Sequence, residues 1–266
     1  MNNSEVFLEI AKTDLKAAKC LYEQALYPQA VFSVQQAVEK MTKAFGSLSA
    51  DMSLDIMKKE VGHKPFNVFL YTLQQFVQSY KSQNEGVPTG SVMDDLQHDK
   101  MNFESGVQQA VQVYKVLEKI DGLSNFVLAK QLQSVLRQIR DTSSKQFDPD
   151  TDTFMDSVEQ FLKKQYKSND KKKIEYVCAL LRKYMHDILL AVEPLAFLVL
   201  ILPSQCIQDT RYPIDEINPL IFYTKEHPLI KSFDDIIEIS YFVYEHMSEV
   251  FKMFDEFEKI GKLVQQ

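Results

Sequence analysis

Glycine and proline are scarce in this 266-residue chain, at 7 and 9. With 45% hydrophobic residues, that scarcity suits a compact helical protein with few tight turns. The seven glycines form no phosphate-cradling loop, which excludes Walker-type and dinucleotide-binding motifs. Cysteine is sparse and odd in number. Cys20, Cys178 and Cys206 lie far apart, so no disulfide framework is expected and a reducing cytoplasm is the default compartment. The five histidines, at 63, 98, 186, 227 and 246, are dispersed without a His-x-x-x-His pair. No zinc site and no cofactor are therefore expected.

Positive charge is in deficit too, since 30 Lys and Arg against 37 Asp and Glu give −7 and a pI near 5.3. Such a balance argues against non-specific coating of nucleic acid but leaves room for a local basic cleft. Long apolar runs are also missing. The most apolar stretch, Ile188 to Leu202, is shorter than a bilayer crossing and contains Glu193-Pro194. It predicts a buried core helix and no membrane partner. The first residues, MNNSEVFLEIAKTD, lack a cationic start followed by an apolar run, so no signal peptide is expected.

What the chain does have is helical periodicity. Residues 11–46 predict two amphipathic helices broken at Tyr27-Pro28. Phe7, Ile10, Ala11, Ala18, Leu21, Tyr22 and Ala25 mark the first apolar face; Ala30, Val34, Ala37, Val38, Met41 and Phe45 mark the second. Proline fixes φ and lacks a donor, so Pro28 suits the first turn of a new helix. The short joint makes the two helices antiparallel. Cys20 and Cys178 fall on apolar faces and are expected in the core.

Further along, a short helix from Leu54 to Val61 should stop at Gly62. A core-facing helix over 65–83, a loop over 84–92 and helices near 101–120, 123–141 and 154–167 follow. A long apolar helix runs from Ile174 to Leu202, and prolines at 203, 213, 219 and 228 break the chain after it. The last helix, about 233–262, starts from Ser232 with Asp235 placed as in a capping box. No alternating strand pattern and no internal repeat occurs. The expected fold is all-α, an antiparallel helical bundle.

Asp14-Leu15, Ala17-Ala18, Tyr27, Ala30-Val31-Phe32 and the run Gln35-Gln36-Ala37-Val38-Glu39-Lys40 before Lys43-Ala44 resemble the opening of the HEPN family. Gly62-His63 resembles the family's glycine–histidine step, and Asp209-Thr210-Arg211-Tyr212-Pro213 its late segment. The resemblance covers residues 8–63 and 205–260. It implies one HEPN-type bundle over 1–266, with 65–200 as an inserted helical elaboration. It also implies association with nucleotides or RNA, a homodimer and an antitoxin-like protein partner. Many members are metal-independent ribonucleases of toxin–antitoxin, abortive-infection and antiviral systems.

The resemblance implies that active members carry an arginine and a histidine with four to six residues between them. Here Arg182-Lys183-Tyr184-Met185-His186 has three intervening residues, one short of that pattern, and the i,i+4 spacing puts Arg182 and His186 on one helix face. Histidine titrates near neutrality and can take the ribose 2′-hydroxyl proton, while arginine can grip the scissile phosphate. Three readings stay open: a nuclease pair, a phosphate-binding face that includes Lys183, or a solvated cationic edge with His186 near Asp187. Arg211 and Tyr212 can bind phosphate or fasten their loop. Lys40 and Lys43 can line a cleft, although Glu39 with Lys43 is also a favourable pair on an exposed face. His63 can contribute to binding or cap the next turn.

The acids of 148–159 match positions 1, 3, 5, 9 and 12 of a calcium loop, but Thr153 stands where glycine is needed. They serve equally to complement a helix dipole, and no metal is expected. The lysines of 163–173 read as a solvated linker whose local field can meet RNA. Three functions follow: a HEPN-like nucleotide- or RNA-associated protein of defence or toxin–antitoxin type with weak or no catalysis, a metal-independent endoribonuclease using Arg182 and His186, or a dimeric interaction scaffold.

Overall fold

Apolar residues at three-and-four spacing become helices in the described parts of the chain, and no strand occurs among the described residues. The structure is a computed structural model; it describes residues 3–49, 52–62, 65, 67–69, 71–72, 75, 160, 171–202, 210–211 and 218–264. The loop over 84–92, the helices near 101–120 and 123–141, nearly all of 154–167, the acids of 148–159, most of the 65–83 helix, His63 and Tyr212 lie outside the described residues. The helices are α1 (Asn3–Glu23), α2 (Tyr27–Ser49), α3 (Leu54–Ile56), α4 (Lys171–Ile201), α5 (Pro219–Phe222), α6 (Pro228–Lys231) and α7 (Phe233–Val264). The chain divides into two compact units, Met1–Ala129 with Ala196–Lys231, and Lys130–Leu195 with Ser232–Gln266.

In the first unit α1 packs on α2. The buried stripe of α1 is Leu8, Ala11, Leu15 and Ala18, a 3-4-3 spacing. This corrects the face expected from the sequence: Ile10 is 41% exposed and Cys20 is exposed, while Cys178 is buried as expected. On α2 every apolar residue assigned to the core is buried. The helix ends on Gly46-Ser47-Leu48-Ser49, where a Cβ at Gly46 would sit 2.6 Å from Val68 Cγ1. Only glycine lets the 67–69 segment approach so closely.

The joint lies slightly before Tyr27-Pro28. Leu26 N–H donates to Leu21 O at 2.9 Å and Ala25 N–H to Tyr22 O at 2.9 Å, the paired bonds of a Schellman cap. That cap puts its fifth residue in the left-handed region, and here it is Ala25, at φ 57°. Pro28 then sits in the first turn of α2. Downstream, Leu54–Val61 ends at Gly62, φ 56°, as the sequence predicts, its last turn widened over Met57–Val61. α5 and α6 also pack on α2, and Tyr22 donates its hydroxyl to Ile230 O at 3.4 Å.

His227 links α5 to α6. Its Nδ1 accepts the Leu229 N–H at 3.2 Å, and its ring lies 4.9 Å from Phe222 and 4.8 Å from Tyr223. Burial pushes its pKa down to about 4, because a charged ring there loses water without gaining a partner.

The second unit contains most of α4 and all of α7. As the α4 residue rises through Tyr176, Lys183 and Asp187, its α7 partner falls through Glu256, Glu249 and His246. The two helices therefore run antiparallel. α4 continues through Pro194. No helix among the described residues is long and apolar enough to cross a membrane. The carbonyl of Ser232 accepts the first amide of α7, from Ile236 at 3.0 Å. Its buried Oγ has no partner, so the expected capping box does not form.

Two outcomes follow. Ala25→Gly removes the left-handed strain and stabilises the fold by about 1 kcal/mol in urea melts. For His227, whose folded pKa lies below the ordinary 6.5, stability is level above that pH and falls as pH drops from 6.5 towards 4, because the unfolded chain takes up the proton first. His227→Gln makes that slope shallower in melts across the same window.

Candidate functional site

The described candidates fall into two groups, one in each unit. Lys40, Lys43 and Arg211 belong to the first; Arg182, Lys183 and His186 belong to the second.

Within the hairpin both lysines are engaged by its own carboxylates. Lys40 Nζ donates to Asp14 Oδ2 at 2.7 Å, which ties α2 to α1, and lies 3.3 Å from Gln36 Oε1. Lys43 Nζ donates to Glu39 Oε1 at 2.6 Å. The second pair was expected on an exposed face, but the Glu39 side chain is only 5% exposed. The run Gln35 to Lys43 thus closes the hairpin. Gln35 Oε1 accepts from Gln36 Nε2 at 2.9 Å, and Gln35 Nε2 is buried without a partner. The Arg211 guanidinium stands 5.3 Å from the centre of the Phe32 ring, a cation–π distance. Arg211 is exposed, and Thr210 beside it is buried.

On α4, residues 182 and 186 are one turn apart and both half-buried. Lys183 is exposed and donates to Glu249 Oε2 at 2.8 Å. Glu249 also accepts from Lys252 at 2.7 Å. The two ammonium groups hold its carboxyl down to about 2, and Glu249 in turn raises Lys183. Nearby, Tyr184 meets Phe257 edge-on at 5.9 Å, and burial raises its hydroxyl pKa.

One residue after His186, the helix turns by about 100° and carries Asp187 inward. The Asp187 side chain is 7% exposed. His246 Nδ1 lies 2.9 Å from Asp187 Oδ1, and His186 Nδ1 lies 3.5 Å from the same oxygen. A carboxylate only accepts, so His246 carries its proton on Nδ1 and presents Nε2 as an acceptor in the neutral ring. Phe242, one turn earlier on α7, packs on that ring at 4.3 Å. Two imidazoles thus meet at one buried carboxylate. The sequence expectation had His186 near Asp187 but missed His246. The only hint was a histidine on the apolar face of the last helix, and its partner lies 59 residues away.

Residues 4–47 match the HEPN domain. No curated protein and no solved structure matches the chain. The HEPN match covers α1 and nearly all of α2, so it contains the Lys40–Asp14 and Lys43–Glu39 pairs. It ends far before Arg182 and His186. The helices of the described residues agree with it, and a HEPN domain points to a nucleotide- or RNA-associated role.

Burial separates the two lysines of the matched segment. Lys40 and Asp14 are each about a quarter exposed, and Lys40→Met costs under about 1 kcal/mol in urea melts. Lys43→Met removes the ion pair to the buried Glu39 carboxylate and costs more, about 1–3 kcal/mol.

Proposed function

We propose that this protein is a HEPN-like nucleotide- or RNA-associated protein of a prokaryotic defence or toxin–antitoxin type system. The observation that carries the reading is the HEPN match over the hairpin. RNA phosphate then meets the α4 face, where Arg182 and His186 stand one turn apart. Arg211, exposed above Phe32, is a second contact for phosphate or for a stacked base. The acidic chain as a whole favours a confined contact over general coating.

The whole chain acts as one HEPN-like domain with an inserted helical region. Supporting this, each compact unit draws on two separate stretches, so neither is a contiguous piece. A homodimer is the working state, and an antitoxin-like protein is the partner class. Val6 and Ile10, both about 40% exposed and one turn apart on α1, offer an apolar strip to a second copy.

A second reading, a metal-independent endoribonuclease, is favoured by one specific observation. His186 stands within 3.5 Å of a carboxylate that also orients His246, an arrangement suited to proton transfer.

Incubating total RNA with wild-type protein and with Arg182→Ala/His186→Ala tests both readings. A labelled single strand gives the affinity by anisotropy, and the double variant should weaken it at least about tenfold. Equal affinities in the two proteins would remove α4 from the contact. Fragments made by the wild type alone select the nuclease reading.

A further inference from the structure

His246 of α7 and Asp187 of α4 meet in a part-buried contact of the second unit, 2.9 Å long. His246 is held by its bond to Asp187 and by the Phe242 ring, 4.3 Å away. Asp187 is held inside, with Oδ1 shared between two imidazoles and Oδ2 buried without a hydrogen-bond partner. A buried carboxylate with an unmet oxygen is costly.

Other charged groups border this place. Arg182 and Lys183 come from α4, with Glu245, Glu249 and Lys252 from α7. Glu249 binds both Lys183 and Lys252, so this trio leaves one positive charge in excess. Arg182 lies one turn from His186 on the same face.

We infer that His246 is a second proton-transfer residue beside His186, positioned by buried Asp187, in a site for the phosphodiester of single-stranded RNA. This rests on the endoribonuclease reading above and deepens it. One imidazole takes the proton of the ribose 2′-hydroxyl, and the freed oxygen forms a bond to phosphorus. The bond from phosphorus to the 5′-oxygen breaks, and the other imidazole, as its cation, protonates that leaving oxygen. Products are a 2′,3′-cyclic phosphate and a 5′-hydroxyl, and one proton has passed in at one ring and out at the other. The step needs no oxidant, metal or water. Arg182 binds the non-bridging phosphate oxygens. Asp187 is a positioning residue: it keeps the proton of His246 on Nδ1 and so leaves Nε2 to act.

The test measures kcat/KM against pH on a labelled RNA oligonucleotide for wild type, His186→Ala, His246→Ala, His246→Gln and Asp187→Asn. The expected wild-type profile is bell-shaped, with product ends carrying a cyclic phosphate. Both His246 variants lose about 10²- to 10⁴-fold and one limb of the bell, whereas a merely structural role would lower the curve without changing its shape. Asp187→Asn keeps both limbs and loses at least about tenfold. Wild-type cleavage that persists within about twofold in both His246 variants, with the bell intact, overturns the inference and leaves the endoribonuclease reading standing. No cleavage by wild type removes that reading and the inference together. Where a His246 variant fails to fold, histidine ring NMR of the wild type with a 2′-deoxy oligonucleotide decides. Shifts at both His186 and His246 support the paired site, and a shift at His186 alone overturns it.

Discussion

The first unit depends on covering α2. Ala30, Val31, Val34, Gln35, Ala37, Val38, Glu39, Met41, Thr42, Ala44 and Phe45 are all buried, which occupies most of the circumference of the helix. A helix buried so widely needs cover from more than one element. α1 supplies Leu8, Ala11, Leu15 and Ala18; α5 and α6 supply another side; the 67–69 segment presses on Gly46. The polar residues caught inside must find bonds locally. Thr42 donates to Val38 O at 2.7 Å, and Glu39 takes Lys43.

The same demand, that a buried charge be partnered, is met differently in the two units. Glu39 is answered by a lysine one turn along its own helix, a contact made within α2. Asp187 is answered from another helix, by an imidazole. The first solution stiffens the hairpin. The second fixes an imidazole in a defined tautomer beside another imidazole, which is the raw material of acid–base chemistry.

Much of the architecture was legible in the chain. The hairpin, the proline at the start of α2, the stop at Gly62, and the reach of α4 and α7 follow from periodicity and from the stiffness or freedom of single residues. The errors came where periodicity is degenerate. α1 has apolar residues on two neighbouring faces, Phe7 and Ile10 on one and Leu8 and Leu15 on the other. Spacing alone does not choose between them, and the partner helix does. Cys20 was misplaced for that reason. Ser232 and Asp235 have the spacing of a capping box, but the buried serine hydroxyl bonds none of the amides it was expected to bond.

For the candidate site, Arg182 and His186 were legible because helical pitch aligns residues four apart whatever surrounds them. The likeness of residues 14–44 to a HEPN opening was likewise a matter of residue order. By itself the sequence determined that the chain is helical, that its first two helices pair, and which α4 residues share a face. Only the tertiary structure decided that Asp187 points inward and that His246 answers it, because a contact between residues 59 apart depends on how two helices align, and no local spacing encodes that alignment.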